Sequence, residues 1–177
     1  MSNDQTDIPL SLTRVDDHNR LLLKAVIDAM ETMAFISPEP LTADPSPELL
    51  TSLERAHVRF VGPFCGLLEL FAPRSLAVLL VANLTCSDQA DSRTAAYAED
   101  ALKEIANVTC GLLLRRITAA VGAMCEFDLE IPSLDLVDST ETWAHLLSTT
   151  DSVALDIQGL PLVARLTIDS VLTEVAA

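Results

Sequence analysis

Hydrophobic positions along the chain change period several times, and each change predicts an element. Asp16 and Asp17 open a helix, where acidic residues suit the positive end of the helix dipole. Beyond Asn19, apolar residues recur at Leu22, Leu23, Val26, Ile27, Met30 and Met33, one face of a 3.6-residue repeat. Residues 37–47 hold four of the nine prolines and read as an extended loop. From 55 to 71 the period falls to two, predicting a pair of strands. Ala56, Val58 and Phe60 alternate with His57 and Arg59, Gly62-Pro63 turns the chain, and 66–71 returns. His57, on the polar face, reads as solvated. Pro73 marks a helix start, with Leu76, Leu79, Leu80 and Leu84 as the apolar face. Residues 94–121 carry the longest helical pattern. Gly122 is placed to end it, and Arg115 and Arg116 suit the negative end of its dipole.

Residues 127–131 read as a short strand. The pattern over 132–150 is ambiguous, with a helical turn at 143–147. The end is a hairpin: Val153, Leu155 and Ile157 answer Leu162, Ala164, Leu166 and Ile168 across a turn at 158–161. That hairpin leaves an edge strand open to another subunit, unless Pro161 and the polar residues cap it. The order of elements argues for an α+β fold with long helices packed on a mostly antiparallel sheet. The expected organisation is a flexible segment over 1–17 and a single domain over 18–177.

Composition narrows the function classes. Eleven basic residues against 26 acidic ones give a formal net charge of −15. Such a chain repels nucleic acid and anionic membrane surfaces. The balance suits a partner offering a cation, although ordinary solubility also accounts for it. The acidic N-terminus lacks the pattern of a signal peptide, and the apolar region 67–84 is broken by Glu69, Pro73 and Arg74. A cytoplasmic protein without membrane insertion is expected. Cys65, Cys86, Cys110 and Cys125 form no C-x-x-C pair and read as buried reduced thiols. His18, His57 and His145 have no ligand spacing, so no metal site is expected. Nucleotide-binding glycine loops and the G-x-S-x-G elbow are absent from the sequence.

The candidate chemistry lies in the long helix. Asp100, Glu104, Asn107 and Gly111 stand at i, i+4, i+7 and i+11, which places them on one stripe, flanked by Lys103. Leu102, Ile105, Ala106, Thr109, Leu112 and Leu113 occupy the opposite side and can face a core. A solvated helix face is the ordinary meaning of a polar stripe. An E-x-x-N pair arises roughly 0.4 times by chance in a chain of this length. Adding the acid and the glycine lowers that to on the order of 0.01 or less. Asn is a poor helix former, and a mid-helix Gly costs about 1 kcal/mol relative to Ala. Gly111 therefore asks for a close approach, either by a partner or by an internally packed strand.

This string resembles the signature of the CheX/CheC/FliY phosphatases: an acidic or Ser residue, three residues, Glu, two residues, Asn, and a Gly further along. Asp100, Glu104, Asn107 and Gly111 match it position by position, and the order of elements is CheX-like over most of the chain. CheC-type proteins carry two such motifs. Here the first helix offers Glu31-Thr-Met-Ala34, with Ala in the Asn position, which favours the CheX-like branch. The resemblance implies a CheC-like fold and a phosphatase acting on the aspartyl phosphate of a CheY-like receiver domain. It implies that Asn107 orients the attacking water and Glu104 pairs with the receiver's active-site Lys. Asp100, Lys103 and Gly111 are the expected partner-binding residues, with Gly111 chiefly a packing position. It implies no cofactor of the chain's own, Mg²⁺ held by the partner receiver, and a homodimer with one site per subunit. The competing expectation is a non-catalytic receiver-binding or flagellar-switch adaptor of the same fold, for which Asn107 would have no use.

Overall fold

The computed structural model describes residues 15–87, 96–121, 125–137 and 139–169. Helix α1 spans Val15–Ala29, with Arg20 reaching back 3.5 Å to Asp17. Of the predicted face Leu22, Val26 and Met30 are fully buried and Leu23, Ile27 and Met33 half-buried, while Ala25 and Ala29 join the core instead. Its last turn, Met30–Ala34, is wound wider than an α-helix and closes on Phe35 in the left-handed region, at φ 56°. The proline-rich stretch that follows contributes a two-residue strand, β1 (Glu39–Pro40), and a short 3₁₀ turn, Pro47–Leu50.

Strands β2 (Leu53–Val61) and β3 (Cys65–Pro73) pair antiparallel, Phe60 opposite Gly66 and His57 opposite Glu69. Ala56, Val58 and Phe60 point into the core, as their alternation requires. Gly66 is there to admit the Phe60 ring: an added Cβ would press on that ring and lie 2.6 Å from the Thr167 carbonyl oxygen. Helix α2 (Arg74–Thr85) starts directly after Pro73 and buries Leu76, Leu79 and Leu80. Leu84 is 37 % exposed, contrary to its place in the predicted face, and Ala77 and Val81 are buried instead.

Helix α3 (Ala98–Val121) is the long helix. Gly122, its expected terminator, lies outside the described residues. Strands β4 (Asp128–Leu129) and β5 (Ser133–Val137) then run along the same edge of β2, Phe60 opposite Leu129 and Leu53 opposite Val137. Pro132, which has no N–H to give, falls in the break between them. Helix α4 (Ser139–Ser148) replaces the expected single turn. Strands β6 (Ser152–Ile157) and β7 (Leu160–Asp169) form the terminal hairpin. Its turn is only Gln158-Gly159, with φ 56° and 84°, a pairing that matches the right-handed twist of the strands. Leu160 and Pro161, expected in the turn, already pair with Ile157 and Asp156.

The sheet order is β1-β6-β7-β3-β2-β4, with β5 also on β2, and every described pairing is antiparallel. The hairpin therefore does not leave its edge open as expected. β7 is interior, and β1 sits against β6, with the Leu41 amide donating to the Ala154 carbonyl at 3.2 Å. One face of the sheet carries the main core under α1, α2 and α3. The other carries a smaller cluster, Leu53, Phe71, Trp143, Leu146 and Val163, beneath α4. Beside it, the buried Glu69 carboxylate is shared by Arg55 at 3.4 Å and Arg165 at 2.6 Å. Removing either partner would leave a costly buried charge less compensated. His57 is not simply solvated: it is half-buried, with Nδ1 3.6 Å from the Asp135 carboxylate. Of the four free thiols only Cys110 is buried, and burial pushes it up to about 12; Cys65 and Cys125 are intermediate and Cys86 is exposed.

Candidate functional site on the long helix

Helix α3 has 24 residues, a length of about 36 Å at 1.5 Å per residue. Leu102, Ile105, Ala106, Cys110, Leu113 and Ile117 are buried, with Thr109 among them the one polar residue, and this mainly apolar side fixes the helix on the core. Ion pairs hold it towards both ends. The Arg74 guanidinium, at the start of α2, lies 3.4 Å from Glu99 and 2.5 Å from the buried Glu54 carboxylate, which holds its pKa above the usual arginine value. Towards the other end, Arg116 is paired with Asp28 on α1. These supports join residues distant along the chain, so no local pattern announces them. Arg115 and Arg116 also lie before the last turn, which contains no basic residue, so the expected dipole role does not hold.

All five residues expected at the site are on this one helix. Asp100 and Glu104 are exposed, Asn107 is half-buried at the edge of the core, and Gly111 is exposed. Lys103 Nζ lies 2.8 Å from Asp100 Oδ1, an i, i+3 pair that turns both groups along the helix surface. Among the described residues, Glu104 and Asn107 have no hydrogen-bond or ion-pair partner. A Cβ on Gly111 would meet nothing within 4 Å. Internal packing, one of the two expected reasons for this glycine, is thereby excluded among the described residues. What remains is a bare patch of helix surface that another molecule can approach closely.

The corresponding stretch of the first helix is different. Glu31 accepts a hydrogen bond from Ser37 Oγ at 2.9 Å, and Ala34 is fully buried. A hollow of about 410 Å³ lies nearby, lined by Ala34, Phe35, Ala82, Asn83, Cys86 and Ser87, and no stripe residue borders it. Among the described residues, no group of three or more His, Cys, Asp or Glu is arranged to hold a metal ion. Nor is any described helix long and apolar enough to cross a membrane.

The family model "Chemotaxis phosphatase CheX" matches residues 55–156, more than half of the chain and including the whole stripe. The chain belongs to the CheX family. Solved structures agree on the fold. CheX of Desulfovibrio desulfuricans superposes with a TM-score of 0.62 at 17 % identity, covering 86 % of this chain and 99 % of that one. A CheC-like protein from Shewanella gives 0.60 at 14 % identity, with coverages of 87 % and 98 %. CheX of Borrelia burgdorferi, solved as a CheX–CheY–BeF3–Mg complex, gives 0.58 at 17 % identity, with coverages of 89 % and 100 %. No curated protein matches the sequence significantly. The expected CheC-like α+β fold, with helices on a mostly antiparallel sheet, is the fold observed.

Proposed function

We propose that this chain accelerates hydrolysis of the aspartyl phosphate on a CheY-like receiver, with Asn107 orienting the attacking water and Glu104 anchoring the complex. The observation that carries the reading is the pair itself. Two polar side chains with no partner in the described chain stand one turn apart on the outward side of a helix pinned by ion pairs towards both ends. Side chains at i and i+3 have Cβ atoms about 5–6 Å apart, so both reach one site on a docked partner. The Borrelia relative was solved with CheY and beryllofluoride, which supports a receiver as the partner class.

An acyl phosphate does not need a nucleophile from this chain. It needs water held in line with phosphorus, and fixing that geometry removes much of the entropic barrier. A carboxamide both donates and accepts hydrogen bonds, so Asn107 can hold a water by its oxygen and face a phosphoryl oxygen with its N–H. A carboxylate on Glu104 pairs with the receiver's Lys and sets the register of the helix. Asp100, already engaged by Lys103, makes a rim contact. In this reading Mg²⁺ belongs to the receiver and supplies charge neutralisation there. The homodimer belongs to the same reading. Its support is the outer edge of the sheet at β4 and β5, where Ile131 is 90 % and Leu136 74 % exposed.

The test is a screen of phosphorylated CheY-like receivers for accelerated phosphate release. At least one receiver is expected to lose phosphate faster with the wild-type chain. Binding to a receiver without acceleration would replace the enzyme by an adaptor.

A further inference from the structure

The exposed stripe does not stop at the motif. Tyr97 immediately precedes α3 and its carbonyl accepts from the Ala101 amide at 3.0 Å, so its backbone continues the helical path; Arg115 stands 18 positions on, about five turns, on the same azimuth. That line runs beside Glu104 and Gly111. Tyr97, the only tyrosine in the chain, is 59 % exposed, and Arg115 is exposed. Arg115 has no ion-pair partner among the described residues, although the chain carries 26 acidic residues and its neighbour Arg116 is engaged by Asp28. It stands six residues before the end of α3 at Val121, too far for the dipole to account for it. Gly111 clears the surface between Asn107 and Arg115.

Distance decides whether one partner can use both ends. At 1.5 Å per residue, Tyr97 lies about 15 Å from Asn107 along the axis and Arg115 about 12 Å beyond it, a span of about 27 Å. A small domain is about 30 Å across. A receiver centred on Asn107 therefore covers the whole stripe. Exposed Tyr and Arg are the side chains that most often carry binding energy when covered, the first by its large rigid area and the second by its planar donors.

We propose that Tyr97 and Arg115 are the two ends of the docking face and select the receiver. The fitting partner offers an apolar recess about 15 Å to one side of its phosphorylated aspartate and an acidic side chain about 12 Å to the other. This rests on the receiver-phosphatase reading above, and it adds the specificity that the motif itself does not supply.

The experiment measures binding, so it is independent of turnover. A panel of CheY-like receivers, each loaded with beryllofluoride and Mg²⁺, is titrated with the wild-type chain, Y97A, R115E and R115K at low and high salt. Y97A and R115E are each expected to bind the best receiver about tenfold more weakly, and R115E to flatten the salt dependence. R115K is expected to keep most of that salt dependence. Unaltered melting temperatures are expected, since both side chains face solvent. If Y97A and R115E bind as tightly as wild type, this inference falls while the phosphatase reading stands. If the wild-type chain binds no receiver in the panel, both fall.

Discussion

Two helix segments in this molecule carry a Glu followed three residues later by a candidate functional position, and the fold leaves only one of them open. On α3, Glu104 and Asn107 stand on a regular helix, with no partner in the described chain and an open glycine one turn on. At the end of α1, Glu31 is held by Ser37, and the fourth position is a fully buried Ala34 whose carbonyl accepts a hydrogen bond from Asn83 Nδ2 at 3.2 Å. The wide turn Met30–Ala34 also alters the angular spacing on which a shared stripe depends. Spacing in sequence is thus necessary but not sufficient. A site also needs regular winding beneath it and side chains that the fold has not already engaged.

Substitutions in the two segments are expected to have different effects. Writing the motif into the silent segment with Ala34→Asn is expected to cost about 3 kcal/mol, because a buried amide without partners is added to a filled core. Denaturant unfolding checks this, and no second phosphatase site is expected to appear. Glu104→Ala is expected to weaken receiver binding about tenfold with little change in folding stability, as measured by titration and by melting. Gly111→Ala is expected to stabilise the fold by about 1 kcal/mol, since a mid-helix Gly gains nothing from internal packing here. The same change is expected to lower receiver affinity, and a stabilised variant with undiminished affinity would end the role of Gly111 as a clearing. Glu31→Ala is expected to change stability by less than about 0.5 kcal/mol and phosphate release not at all.

Much of the architecture was legible because it rests on local periodicity. The alternation of Ala56, Val58 and Phe60 and the hairpin of β6 and β7 appear where the pattern put them. The inward face of α3 was legible for the same reason, and with it the outward stripe. Features that depend on distant partners were not legible. Helix α4 hides in an acidic, mixed-polarity stretch and is held by Trp143 against Leu53, Phe71 and Val163 on three different strands. Glu54 and Glu69 are buried because Arg74, Arg55 and Arg165 reach them across the fold. Two prolines among four residues obscured β1, which pairs by only two residues. For the candidate stripe, the shared helix was readable, but the open space over Gly111 and the engaged state of Glu31 required coordinates.

In the proposed mechanism the Asn107 carboxamide performs the chemistry while the rest of the stripe docks. The most direct test measures phosphate release and beryllofluoride-receiver binding side by side for wild type and Asn107→Ala. The variant is expected to bind comparably and to lose about 100-fold or more of the acceleration. A variant that accelerates phosphate release as well as wild type would contradict it.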